Sequence, residues 1–465
     1  MSESHFHPER FPAAARAAVA NEYLQRVLKK ATHHSLGLRD EVVKDFPDTW
    51  ETMRDAAHRI RHFAIDHLDE MLEQLTASCE QNGVVVHFAR DTQEARNITL
   101  EILQQNHATK IVKSKSMTTE EIELNPFLEA NGCEVVETDL GEYIVQLNNE
   151  PPSHITAPAL HLSRQQIGKI FQDKLGIEYS EDPEELTLKA RGILRNKFLH
   201  AEAGISGVNF ACADTGRLVV VENEGNARLT TSLPKLHIAI CGIEKVIPKE
   251  KFLAIFLRML ARSATGQRLS TYTNFLSHPS PNRAAGPQIM HLILLDNGRT
   301  KIMADPALRE SLLCIRCGAC LNVCPVYQRA GGHAYGSAYM GPIGAVLTPQ
   351  FRGREIAQSL PFASSLCGAC GEICPVKIPL PQQLWTLRSR IAEGDQLRPA
   401  FERVGMQQWR ETVLNPARYE RYGKLFRLCS RLGLTKILPG WTPQRSPLTP
   451  APSSFRERWR KEKKQ

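Results

Sequence analysis

The chain has 465 residues, of which 42% are hydrophobic and 23% charged, and a formal net charge of +8. That is the composition of a globular protein long enough for two or three domains with real cores, and it excludes a disordered or fibrous chain. No stretch approaches the roughly 20 apolar residues that span a bilayer. The opening MSESHFHPERF lacks the apolar run of a secretory signal, so a cytoplasmic protein with reduced cysteines is expected.

Residues 1–75 read as an N-terminal helical segment. Residues 13–28 are rich in Ala, Leu, Arg and Gln, and residues 50–75 carry apolar side chains at three- and four-residue intervals. Strand and helix then alternate, with strands at 83–87, 109–113 and 134–138 and helices at 91–106 and 118–131. Such alternation implies parallel strands with helices on their faces. A capped helix at 182–200 follows, then strand-like runs at 211–213, 217–222, 237–241 and 291–295 between Gly, Pro and Asn turns. Residues 76–300 are therefore read as one α/β domain with a mixed sheet, and residues 301–395 as a mainly helical region around ligand loops. Residues 396–465 are a helical stretch (401–434) ending in a basic, proline-rich tail, irregular from Pro439 through Pro443, Pro447, Pro450 and Pro452.

The charge is uneven. From Arg398 onward there are 16 Lys or Arg against 5 Asp or Glu, so the rest of the chain is slightly acidic. A tail ending FRERWRKEKKQ attracts nucleic acid, acidic lipid or an acidic partner, but is more often simply solvated. Nothing near it resembles a nucleic-acid-binding module. No nucleic acid partner and no transmembrane segment are expected, and a peripheral membrane contact stays open.

Twelve cysteines are present, and seven lie in two short runs. Cys314, Cys317, Cys320 and Cys324 form C-x2-C-x2-C-x3-C before Pro325. Cys367, Cys370 and Cys374 form C-x2-C-x3-C before Pro375, with Ser364 where a first cysteine belongs. Thiolates are soft ligands for iron, and in this grammar the last cysteine of each run serves the other run's cluster. Two [4Fe-4S] clusters are expected. The first is held by Cys314, Cys317, Cys320 and Cys374, the second by Cys324, Cys367 and Cys370 with a non-standard fourth ligand. Structural zinc is the competing use of paired cysteines, but seven of them in a near repeat favour iron. For the fourth corner, Ser364 or Ser365, a three-iron cluster, an open iron acting as a Lewis acid towards a hydroxy acid, and one of Cys79, Cys133, Cys212, Cys241 and Cys429 all remain. Those five are more often buried apolar residues. The 42 residues between Cys324 and Cys367 are expected to pack over a cluster and to help dock a partner.

With these runs placed after a long α/β domain, the chain resembles the lactate utilisation iron–sulfur protein B family. The likeness extends from the N-terminal helices to about Trp441. It is carried by KSKSM at 113–117, Phe210 through DTG at 214–216, VENEGN at 221–226, LTTSLP at 229–234, HIA at 237–239, GIEK at 242–245, LLDNG at 294–298 and both cysteine runs. The resemblance implies a LUD domain, similar to CoA-transferase and sugar-phosphate isomerase folds, followed by an α-helical ferredoxin-like two-cluster domain. It also implies work with two companion proteins, A and C, in oxidising L-lactate to pyruvate, with electrons passed to a downstream acceptor towards the respiratory chain. One departure is a loop at 280–287 that is shorter and less acidic than the family pattern.

Within the α/β part, Glu222 and Glu224 end a strand in an Asn- and Gly-rich turn. A glutamate nucleophile is one reading of them, and carboxylates that bind the turn or pair with Arg228 the other. Lys113, Ser114, Lys115 and Ser116 precede a helix near Thr118, with Glu121 completing a capping box; a small-anion site or a plain cap fits. His87, His161 and His237 are expected to be structural. No G-x-G-x-x-G or Walker A motif appears, which argues against a self-contained nicotinamide or flavin dehydrogenase. An electron-transfer subunit is the leading expectation. A directly catalytic hydroxy-acid oxidoreductase and an iron- or redox-sensing scaffold are its rivals.

Overall fold

Short β-branched runs such as KIVK and LHIAICG, each followed by a helix, build a six-stranded sheet in which every pairing is parallel. The computed structural model describes residues 6–44, 49–280, 282, 286–394, 397, 400–434, 446 and 448–463. In chain order the strands are β1 (Val85–Ala89), β2 (Lys110–Lys113), β3 (Glu134–Glu137), β4 (Ala203–Gly207), β5 (Phe210–Cys212), β6 (Leu218–Glu222), β7 (Leu236–Gly242), β8 (Val246–Ile247), β9 (Tyr272–Leu276) and β10 (Ile289–Leu295). The large sheet runs β1-β10-β7-β4-β2-β3. Its register places Ile205 beside Ile238 and Ile238 beside His291. The smaller sheet, β8-β5-β6-β9, mixes one parallel and two antiparallel pairings. Together they are the mixed α/β architecture expected.

Burial explains why the large sheet reads as apolar runs rather than as alternation. Ile205, Ile238, Ile240 and Ile293 are fully buried, and each contributes about 1.5–3 kcal/mol by leaving water. β4, with the sequence AGISG, carries no strand signature at all. Gly204 is there because a Cβ would come within 1.9 Å of the Thr230 carbonyl oxygen.

Several expected helices divide. The run over 50–75 breaks at His67 into Trp50–Asp66 and Leu68–Gln81, and the one over 118–131 breaks at Glu123, whose φ is +45°. The N-terminal stretch breaks at Asn21 into Phe11–Ala20 and Glu22–Lys44.

The chain forms two compact units, Met1–Ser389 and Arg390–Gln465. In the first, one hydrophobic core joins Phe256 and Leu260 of the helix Leu253–Thr265 to Leu312, Leu321, Ile343 and Leu384 of the cysteine region. The 42-residue stretch between the runs belongs to this core. Every residue from Gly341 to Pro349 is buried, so its central helix Gly341–Arg352 packs inward.

In the second unit, Asn415 ends the helix Ala400–Leu414 and caps Pro416–Arg431, accepting from the N–H groups of Ala417 and Arg418. The basic tail is not irregular to its end. Ser454 and Glu457 form a capping box that opens a helix over Phe455–Glu462. Pro439, Pro443 and Pro447, the side chain of Trp441, and Pro281, Arg283, Ala284 and Ala285 of the departing loop lie outside the described residues.

Candidate iron–sulfur centre and the cavity beside it

The two cysteine runs fold as the same loop, 50 residues apart. Arg316 and Leu366, each the residue before the second ligand position, are left-handed at φ +61° and +54°. Gly318 and Gly368, each the residue after it, are left-handed at +76° and +92° and open the short helices Ala319–Val323 and Ala369–Glu372. Four positive φ values in register cost strain at the non-glycine positions and make sense only if the loop must curl round something. The hydrogen bonds repeat too. The Arg316 N–H donates to Cys314 Sγ at 3.4 Å, and the Leu366 N–H donates to Ser364 Oγ at 3.1 Å. Ser364 Oγ therefore stands where Cys314 Sγ stands in the first loop.

The thiols fall into two sets. Cys314, Cys317, Cys320 and Cys374 line one cavity. Ionised Cys374 and Cys314 each disfavour a thiolate at Cys317, and Cys314, Cys317 and Cys374 do so at Cys320. In the other set, Cys324 feels Cys367, and Cys370 feels Cys324 and Cys367. Cys320 also feels Cys370, so the sets adjoin. Cys79 and Cys241 lie in one α/β core, Cys133 in another and Cys212 in the shared core.

The surroundings of the two sets differ. Burial pushes Cys374 up to about 11 and Cys370 to about 12, so both are protonated thiols until iron displaces the proton. Cys367 is exposed, and the Ala369 N–H with the Ser365 hydroxyl pulls its pKa below the usual thiol range. Cations face the first set: from distant segments Arg39 towards Cys317, Arg54 towards Cys374, and Arg61 and Lys245 towards Cys314, and from within the loop Arg316 towards Cys314. Arg54 also holds the loop itself, with Nε donating to the Cys374 carbonyl at 3.0 Å and Nη2 to that of Glu372 at 2.7 Å. At Cys367 the charged neighbour is Glu372.

Among the described residues, the buried polar atoms here that lack partners include Tyr335 Oη, and Nε and Nη1 of Arg316. The Tyr335 hydroxyl is under the influence of Cys324, Cys320 and Cys370. Arg316 lines the cavity of the first set. Orphaned donors in a core are costly. Here Arg316 lines the cavity of the first set and the Tyr335 hydroxyl lies within electrostatic reach of both sets, so donors suited to cluster sulfides are present and the residues fit iron–sulfur clusters.

A buried charge network joins this region to the α/β sheets. Arg299 binds both oxygens of Glu121, at 2.9 and 2.8 Å, and ion-pairs with Glu244. Glu244 also meets Arg316 Nη2 at 3.3 Å, and the Tyr339 hydroxyl donates to Glu121 at 2.6 Å. Buried though it is, Glu244 is held down at about 2 by Arg299, Lys245 and Arg316. Glu121 is thus the partner of Arg299 and completes no capping box. The cap is Ser116, which accepts from the Thr119 N–H at 3.2 Å. Arg61 closes the join, donating at 2.8 Å both to the Val246 carbonyl beside the sheets and to that of Leu312 before the first run.

A second cavity, of about 260 Å³, opens at the carboxyl ends of β2, β4 and β6, where α/β folds place ligands. Ser114, Lys115, Glu222, Glu224, Lys245 and Arg316 line it. Arg316 and Ile155 line the thiol cavity as well. The sequence singled out Ser114, Lys115 and both glutamates here, but not Lys245 or Arg316. Lys113 turns away, fully buried and ion-paired with Glu137 at 2.6 Å. Glu222 serves the turn, accepting from the N–H groups of Ala227 and Arg228 at 2.8 Å each and from Asn274. His237 bonds Ser206 at 2.9 Å and burial lowers it to about 4, His87 pairs with His291, and His161 bonds Ser153 and Glu150. All three act as structural residues.

Comparison with known proteins places this arrangement. A LUD domain model matches residues 72–295, a 4Fe-4S dicluster domain model residues 310–378, and a model of the C-terminal part of lactate utilisation protein B residues 386–464. The chain is 44% identical over 418 residues to a lactate utilization protein B of Bacillus licheniformis, covering 90% of this chain and 87% of that one. It is 45% identical to those of Bacillus pumilus, covering 90% of each chain, and Bacillus subtilis, covering 85% and 83%. The chain belongs to the lactate utilisation protein B family. A crystal structure of a DUF162 family protein from Deinococcus radiodurans aligns with 49% of this chain and 98% of its own at 13% identity. Its TM-score of 0.29 is too low to bear on the fold. Within the lactate utilisation protein B family, the matched dicluster region contains all seven cysteines of the two runs. No helix among the described residues is long and apolar enough to cross a membrane.

Proposed function

We propose that this chain is the electron-transfer component of a lactate-utilising system, working with companion proteins A and C to carry electrons from L-lactate oxidation towards a downstream acceptor. The observation that carries this reading is the pair of adjoining thiol sets, one inside the protein and the other reaching the surface at Cys367. We assign the first [4Fe-4S] cluster to Cys314, Cys317, Cys320 and Cys374, and the second to Cys324, Cys367 and Cys370, with Ser364 at its fourth corner. Such clusters supply one-electron storage at potentials set by hydrogen bonds, net charge and exposure. The cations facing the first set favour an added electron there. Tyr335, between the sets, supplies a hydrogen bond. Residues 1–75 clamp the loops through Arg54 and Arg61, 76–300 form the LUD domain, 301–395 the two-cluster region and 396–465 the C-terminal helical region, all in a cytoplasmic protein.

The test is anaerobic. Protein with reconstituted clusters and L-lactate alone keeps its visible absorbance, and adding companion proteins A and C bleaches it. Reduction by lactate alone would overturn the relay and favour direct catalysis, the second reading, which the cavity beside the first thiol set supports.

A further inference from the structure

The strand-end cavity holds cations and carboxylates in different states. Its carboxylates are engaged with backbone: Glu222 with Ala227 and Arg228, Glu224 with the Leu140 N–H at 3.1 Å, and Asp139 with the Glu142 N–H at 3.1 Å. Burial, with the Asp139 charge beside it, lifts Glu224 to about 7, so near neutrality it is only partly ionised. The cations have no such partners. Lys245 is 6% exposed, and among the described residues its ammonium makes no hydrogen bond and no ion pair. Lys115 reaches only Glu142, at 3.9 Å. Arg316 spends one nitrogen on Glu244 and leaves Nε and Nη1 unpaired, and the buried Ser114 hydroxyl is unpaired as well. The neighbouring Glu244 charge offsets part of the cost of burying Lys245, but an ammonium in a cavity wall with no hydrogen-bond acceptor is one that a ligand can complete.

We propose that this cavity binds a small organic carboxylate, held by Lys245 and the Ser114 hydroxyl, and that Arg316, common to both cavities, couples its occupancy to the redox state of the first cluster. A carboxylate is one anionic group of a size suited to so small a cavity, and the positive wall is made of point and planar donors that such a group satisfies. The coupling, though not the binding, rests on the cluster assignment above. Arg316 sits in the first loop with its N–H on Cys314 Sγ and its guanidinium 4.4 Å from the Tyr339 ring centre. A negative charge arriving beside it disfavours reduction of a cluster on Cys314. By reciprocity, reduction weakens carboxylate binding.

The experiment is calorimetric titration of the full-length, cluster-loaded protein with pyruvate, L-lactate, acetate and inorganic phosphate, paired with a redox titration of the first cluster followed by EPR. Expected are saturable binding of at least one carboxylate, affinity at least tenfold weaker in Lys245→Met and measurably weaker in Ser114→Ala, and a more negative potential in the bound wild type only. Cluster absorbance per chain and melting temperature establish that each variant is folded and loaded. No saturable carboxylate binding, phosphate binding alone, or unchanged affinity in a folded Lys245→Met would overturn the site. Binding without any potential shift would overturn the coupling. If carboxylate binds and the protein lacks clusters, the relay reading fails while the site stands. If clusters form and lactate with the companion proteins reduces them but nothing binds, the site fails alone.

Discussion

The two cysteine loops share a backbone and differ in nearly everything around it. The first is supplied with four thiols, roofed by the α/β domain and faced by Arg39, Arg54, Arg61, Lys245 and Arg316. The second has three thiols and a serine, an exposed Cys367, and Glu372 for a charged neighbour. A duplicated loop can therefore offer two different settings: one shaped by the protein interior, the other open to the surface at Cys367. The difference lies in what reaches each loop from elsewhere in the chain.

The largest effect belongs to the interior side. Glu244→Gln strips Arg299 and Arg316 of a buried counter-ion and costs about 3–5 kcal/mol, read as a lower denaturant midpoint. Because Glu244 is depressed to about 2, its contribution is complete above the ordinary carboxylate pKa and fades as pH falls towards 2. The wild type and the variant should converge in acid. Next comes Arg54→Met, which removes charge-assisted hydrogen bonds to the second run's carbonyls. It should cost about 1.5–3 kcal/mol and make the first cluster's potential more negative, leaving the second nearly unmoved. An equal shift of both clusters would dissolve the contrast.

On the surface side, Ser364→Ala should convert the second cluster to a three-iron form with its own EPR signal in the oxidised protein, while Ser364→Cys keeps four irons. Tyr335→Phe is a smaller change. It removes one hydrogen bond near Cys324, Cys320 and Cys370 and should lower the potential of at least one cluster without changing iron content. Smallest is Glu224→Gln. Its folded pKa of about 7 lies above the unfolded value, so the wild type loses stability as pH rises from about 4.5 to 7. The variant should match it at pH 4 and exceed it by roughly 1–3 kcal/mol at pH 8.

The cysteine loops were legible because cluster ligation is written locally, in spacings of three and four residues. The serine in the gap was legible as a question. That Ser364 Oγ occupies the place of Cys314 Sγ showed only in the φ angles and the paired N–H contacts of Arg316 and Leu366. The α/β order was legible from β-branched runs, but AGISG was not, since a strand buried on both faces beside a helix backbone needs small residues rather than alternation. Helix breaks at Asn21 and His67 carried no glycine or proline to mark them, whereas the break at Glu123 was signalled by Pro126, which cannot continue a helix from the preceding turn. Least legible were the cations. Arg54 meets the Cys374 carbonyl across 320 residues of sequence, and Arg61 meets Leu312 across 251. Each looks from its helix like an ordinary surface residue, and only the packing of the N-terminal helices on the cysteine region makes it a clamp. Lys245 was hidden in the GIEK segment, which reads as a family mark and not as a site.

The central claim is that two four-iron clusters sit in duplicate loops and that the second has a serine oxygen at one corner. Mössbauer spectroscopy of the protein reconstituted with ⁵⁷Fe, wild type against Ser364→Cys, tests it most directly. The account predicts iron and sulfide in equal amounts at about eight of each per chain, with a distinct oxygen-ligated iron site in the wild type that Ser364→Cys abolishes. About four irons per chain, or identical spectra from the two proteins, would contradict it.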